Sequence, residues 1–235
     1  MKLKGIVLGL ISCTAAGLNL PAADVNALLA QWNVITSGNL NLVNDIGGCA
    51  YIGGELAVPN SFTTASIGSS AIPVNAISLA VGGNIDSGGN IQVNGGSVVV
   101  GGTIAGSRTI NLNSHGTVTQ GDPAALPSSP VSQIASASQY WSTLAANSST
   151  TVANNGQLDF NCSATTSMAV FNLSASRMFG SGYQGFTLNP SAVTGDVLIN
   201  VKARVSIGLP AVSSASLTPP NGMAGCCSIF MTPPR

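Results

Sequence analysis

Val81-Gly82-Gly83-Asn84-Ile85 and Val100-Gly101-Gly102-Thr103-Ile104 are one phrase written twice, nineteen residues apart. The copies stay in step beyond their openings. Ile91 falls on Ile110, Val93 on Leu112, Asn94 on Asn113 and Val99 on Val118. Apolar residues keep their places while Gly, Asn, Ser and Thr fill the rest. A fixed period near twenty residues, with one supersecondary unit in each, is the mark of a stacked repeat. Ile91-Gln92-Val93 and Ile110-Asn111-Leu112 alternate as strands with one buried face do. The Gly-Gly and Asn-Gly pairs supply corners at which the chain can turn. The stretch predicts a mainly β fold: about two turns of a parallel β-helix, flanked by one α-helix and followed by C-terminal strands. The other reading is a chance tandem of Gly-rich strands in a sandwich.

The phrase has an earlier relative in Ala50-Tyr51-Ile52-Gly53-Gly54-Glu55-Leu56. Gly53 to Gly82 is twenty-nine residues rather than nineteen, which predicts an insertion of roughly ten within Pro59 to Pro73. Insertions of this kind collect at solvent-facing corners, where binding often happens. Upstream, Asp24 to Trp32 reads as a short helix, with Asp24 as cap and Val25, Leu28, Leu29 and Trp32 on one face. Downstream, Gly121 to Pro130 breaks the pattern with three prolines. Ser132 to Asn147 then reads as the longest helix, with Ile134, Ala137, Tyr140, Trp141 and Leu144 as its apolar stripe. Strands resume from Thr150 onward, and no second domain boundary is evident.

Composition narrows the function. Charged residues make up 6% of the 235, and the formal net charge is zero. A nucleic-acid binder driven by phosphate contacts needs a basic face, so that class is excluded. A 45% apolar content argues against wholesale disorder. The single histidine, His115, stands at a turn beside Gly116 with no second His or Cys pair at ligand spacing. Asp45, Glu55 and Asp86 are scattered along the repeat with Arg108 as the nearby base, and no carboxylate pair forms. No catalytic residue, cofactor or metal site is therefore expected.

Met1 to Ala23 reads as a secretory signal peptide: a basic start, a short apolar run and small residues. Leu10-Ile11-Ser12-Cys13 also matches a lipoprotein box, which would make Cys13 a lipidation site. Residues 24–218 form the expected β-helical domain. An exported chain allows Cys49 and Cys162 to pair, with two separate buried thiols as the other reading. The recurring Asn84, Asn90, Asn94, Asn111 and Asn113 can stack as ladders between turns.

In succession, these segments resemble choice-of-anchor A, an adhesive domain family of secreted bacterial proteins, labelled collagen-binding in some of them. The matching pieces are Ala27 to Ile35 with Gly38-Asn39-Leu40, Ala50 to Leu56, both Gly-Gly copies, Met168 to Leu173 and Val197 to Val201. The resemblance covers about residues 25 to 203 and implies an extracellular, cell-surface β-helix held by an anchor. It implies an extracellular polymer or a cell-surface ligand as partner, and contact with a membrane through an anchor alone. The chain ends differently from the family. Residues 219–235 read as an irregular tail, truncated or shifted by one base between about Pro219 and Cys226. The expected function is a non-catalytic adhesin; a self-associating envelope or biofilm module and an ice-binding β-helix are the rivals. Thr103, Thr109 and Thr117 do not recur at matched positions in the first copy, which weakens the last.

Overall fold

The computed structural model describes residues 22–42, 45–58, 64–86, 90–106, 109–163, 168–179, 183, 185–189, 196–204 and 224–231. The expected signal peptide and Cys13 lie outside them, as does Arg108. The chain opens with helix α1 (Ala22–Gln31). Ten short strands follow: β1 (Val34–Thr36), β2 (Leu40–Asn41), β3 (Ala50–Ile52), β4 (Leu56–Ala57) and β5 (Thr64–Ile67), then β6 (Ile77–Val81), β7 (Asn90–Val93), β8 (Ser97–Val100), β9 (Ile110–Leu112) and β10 (Val118–Gln120). The fold is mainly β, as the sequence predicts.

These strands pair in parallel as ladders. The first runs β1-β3-β6-β8-β10, the second β2-β4, and the third β5-β7-β9. Single bridges extend the second through Leu56, Ile85 and Ile104, and join Ile46 to Ile67 in the third. The register follows the written repeat: Val81 pairs with Val100 and Ile91 with Ile110. One apolar cluster takes the inward residues of all three ladders, including Ile52, Val81 and Val100, Leu56 and Ile85, and Ile67, Ile91 and Val93, all fully buried. Each fully buried side chain of this size contributes about 1.5–3 kcal/mol, so the stacked columns are the main source of stability.

The expected ten-residue insertion is real but divided. Leu56 to Ile67 spans eleven residues where Ile85 to Val93 spans eight. Ile67 to Leu79 spans twelve where Val93 to Val98 spans five. The larger excess therefore lies at residues 68–76, after the third ladder and before the first. Residues 59–63, where the reading placed its start, lie outside the described residues.

The other side of the first ladder is also buried. Ile35, Tyr51 and Ala80 alternate with the inward set and pack with Ile134, Ala137 and Trp141. The latter three belong to α2 (Val131–Trp141), so the helix covers the apolar flank as its stripe predicts. Burial on both sides explains why Ile77–Val81 and Ser97–Val100 read as nearly continuous apolar runs. Several details differ from the sequence reading. The helix ends at Trp141 rather than Asn147, and it begins at Val131, behind Pro130 as cap, rather than at Ser132. Tyr140 is 64% exposed and stands off the stripe. The flanking helix also has company: α1 joins it through Val25, and a short α3 (Ala175–Phe179) lies further on. Asp24, expected as a cap, falls within α1.

Among the described residues six strands follow: β11 (Ser149–Val152), β12 (Gln157–Asn161), β13 (Met168–Ser174), β14 (Gly185–Asn189), β15 (Asp196–Arg204) and β16 (Ala224–Met231). They hold a second repeat that the sequence reading missed. Gln157 pairs with Gly185 and Met168 with Asp196, both parallel and both offset by twenty-eight residues. Asparagines stack on this period as well. Asn189 Nδ2 donates to Asn161 Oδ1 at 2.9 Å, and Asn200 Nδ2 to Asn172 Oδ1 at 2.9 Å. The tail read as irregular contains β16, paired antiparallel to β15. Its antiparallel direction gives β15 a partner on each side.

Side-chain ladders tie the turns of the first repeat together. Asn39, Glu55, Asn84 and Thr103 each precede an inward residue of the second ladder. Asn39 Oδ1 accepts from the Glu55 N–H at 2.9 Å, and Asn84 Oδ1 from the Thr103 N–H at 2.9 Å. Asn84 Nδ2 donates to Glu55 Oε1 at 3.3 Å. Asn84→Ala removes the acceptor for Thr103 and is expected to cost about 1–2 kcal/mol, read as a lower urea midpoint. An unchanged midpoint would mean that water replaces the amide without loss.

Candidate ligand-binding face

The three ladders differ on their outer sides. That of the first is covered by α1 and α2. That of the second is short and mixed, with Asn41, Ala57, Asp86 and Ala105. That of the third is polar and open. Its inward residues Ile91 and Val93 are fully buried. Alternation therefore turns Asn90 and Gln92 outward on β7. Neighbouring them, Asn111 pairs with Gln92 in register, and the carbonyl of Thr109 accepts from the Ile91 N–H at 3.1 Å. Asn90, Thr109 and Asn111 are exposed and Gln92 is half-buried.

The asparagines expected to stack divide into two groups. Asn84 and the Asn94–Asn113 pair are spent on holding turns together; Asn113 Nδ2 donates to Asn94 Oδ1 at 2.8 Å. Asn90, Gln92, Thr109 and Asn111 make no side-chain hydrogen bond among the described residues. Four unspent polar groups thus sit on a rigid floor, in two pairs on adjacent strands. The sequence analysis gave Asn90 and Asn111 the same stacking role as Asn84.

The insertion rises beside this face. Ile72 N–H donates to Ser69 and Ala76 N–H to Pro73, at 3.0 and 2.9 Å, which folds the loop into two turns. Ser97 fastens it from the next turn: its hydroxyl donates to the Val74 carbonyl at 3.0 Å and its N–H to Ala76 at 2.7 Å. The Ser78 hydroxyl donates to the carbonyl of Gly95 at the same corner. Ser70, Ala71, Pro73, Val74 and Asn75 are left facing solvent.

Two of the three acids hold neighbouring turns together. Asp45 Oδ1 accepts from the Ser66 N–H at 2.8 Å, and Glu55 belongs to the Asn84 ladder. His115 is exposed, in a left-handed turn with φ 58°. Among the described residues no three of His, Cys, Asp and Glu converge as metal ligands would. Cys49 and Cys162 are not brought together. Both are free thiols, Cys49 beside the helix-covered cluster and Cys162 beside the cluster of the second repeat. Burial pushes the Cys49 thiol up, partly offset by its hydrogen bond with Ser78, and burial alone raises that of Cys162. Cys162 also borders a shallow depression of about 540 Å³ with Asn147, Ser148 and Asn161. Its amides are already committed: Asn147 to Met168 and Val170, Asn161 to Thr151 and Asn189.

Residues 25–231 match the family described as "Putative Ice-binding-like adhesive domain". The chain belongs to that family. The match takes in both repeats, α2, β16 and most of α1. It supports an adhesive family without singling out choice-of-anchor A. No curated protein and no solved structure matches the chain.

Proposed function

We propose that this chain is a non-catalytic adhesive domain that works outside the cell, with the outer side of the third ladder as its gripping surface. The observation that carries the reading is the contrast between ladders: one outer side is sealed by helices, while another offers polar groups that no neighbour among the described residues uses. Each turn visits the first, second and third ladders in the same order and returns in parallel register. That order supports a parallel β-helix, in which the ladders are three sides of one coil. Export through the N-terminal signal, and the finer relationship to choice-of-anchor A, belong to the same proposal.

Adhesion is tested by passing the chain over immobilised collagen, polysaccharides and whole cells. Retention on at least one surface is the expected result. Failure on all of them, with the β-rich fold confirmed by circular dichroism, would sink the adhesive reading. The family's description favours one second reading, in which ice is the surface gripped. Enrichment in a growing ice front would support it.

A further inference from the structure

We infer that the ligand of this face is a neutral, hydroxyl-rich glycan, held by Asn90, Gln92, Thr109 and Asn111. The inference rests on the adhesive reading and gives its ligand a chemical class.

The four side chains form a small rectangle. Neighbouring strands lie about 4.8 Å apart, and alternate residues on one strand about 6.7 Å apart. The spacing is that of hydroxyls on adjoining sugar rings rather than of a deep small-molecule pocket. Three of the groups are primary amides and one is a hydroxyl, so each can both donate and accept. Sugar hydroxyls have the same double capacity. A glycan can therefore satisfy every group it desolvates, and a polar group buried without a partner is costly.

Charge and apolarity point the same way. Among the described residues the rectangle contains no acid and no base, so it has no ion to pair with an anionic or cationic polymer. Asp45, on the same ladder, is engaged by the Ser66 N–H. Among the described residues the large exposed apolar side chains are Val74, Val118, Tyr140, Val152 and Phe186, all outside the rectangle. Among the described residues the rectangle offers a protein partner no aromatic or arginine anchor of the kind on which such interfaces depend. The floor beneath is fixed by Ile91 and Val93, and one border by the Asn94–Asn113 bond. Little further ordering of the backbone is needed on binding, which favours weak polar contacts that act together.

The test uses the whole chain in pull-downs on insoluble neutral polysaccharides (cellulose, chitin and starch) and on immobilised alginate and heparin as anionic counterparts. Expected is retention on at least one neutral polymer, unchanged between 0.1 M and 1 M salt, conditions under which exposed charge contacts are screened away. A Gln92→Ala/Asn111→Ala chain should lose retention about tenfold or more while keeping its circular dichroism and urea midpoint. Asn84→Ala, which weakens the stack and leaves the rectangle intact, should keep it. Binding confined to the anionic polymers, loss of binding in salt, or full retention by the double variant would overturn the inference. Adhesion to collagen or cells that soluble neutral oligosaccharides fail to displace would also overturn it and leave the adhesive reading standing. Retention nowhere would remove both.

Discussion

A Gly82→Val chain is expected to be less stable than its parent by about 4 kcal/mol, at the extreme of single substitutions, and to lose its cooperative urea transition. Gly53, Gly82 and Gly101 stack in one column where successive turns round the corner after the first ladder. The Gly82 N–H donates to Ile52 and the Gly101 N–H to Val81, at 2.7 and 2.8 Å. A Cβ at position 82 would point into the carbonyl of Gly53, and one at position 101 would stand 2.7 Å from the carbonyl of Gly82. The atom in the way is backbone, held by its own ladder, so it cannot rotate aside as a side chain could. Gly47 is the control, since a Cβ there meets nothing within 4 Å. Gly47→Ala should leave the urea midpoint almost unchanged. Equal effects at the two positions would show that loss of glycine flexibility, and not the close approach, is responsible.

Asn200→Ala is expected to cost roughly 3 kcal/mol, the penalty for leaving buried polar groups unmatched plus the small void. Asn200 is fully buried, and its amide donates to the Trp141 carbonyl at 2.8 Å and to Asn172 Oδ1 at 2.9 Å. Asn172 Nδ2 in turn donates to the Leu144 carbonyl at 2.9 Å. The pair thereby closes the C-terminal end of α2, whose last carbonyls have no partner inside the helix. Asn189→Ala breaks the comparable bond to Asn161 in a half-buried place, where water can substitute, and should cost about 1 kcal/mol. Urea denaturation of both variants checks the difference. An Asn200→Ala chain no less stable than Asn189→Ala would show that the helix end finds another partner.

The first repeat was legible because Gly-Gly cannot be exchanged at a corner where backbones nearly touch, so the sequence there had little freedom to drift. Among the described residues the second repeat shows no such corner. Phe160 over Leu188 and Phe171 over Ile199 keep apolar residues in register without preserving identity, and Leu158, fully buried, pairs with Phe186, which is 54% exposed. The signal that could have revealed it was the asparagine pairs, Asn161 with Asn189 and Asn172 with Asn200, both twenty-eight residues apart. Helix α2 was legible from its stripe, but Tyr140 was not, since the first ladder it would meet is only as wide as Ile134, Ala137 and Trp141. The candidate site was legible as a polar row and no further. Asn94 and Asn111 are the same residue type in the same repeat. Whether an amide is spent on the next turn depends on its distance from the corner, which no local pattern records.

The column of Gly53, Gly82 and Gly101 also bears on how such a chain can change length over generations. An odd-numbered insertion or loss within a ladder strand inverts the inward and outward sets beyond it, and one beside the corner drives a side chain into the column. Whole turns escape this, because Gly101 could rest on Gly53 much as Gly82 does. Growth and shrinkage by tandem duplication would then proceed in quanta of about one turn, with extra residues tolerated where the loop at 68–76 already leaves the stack.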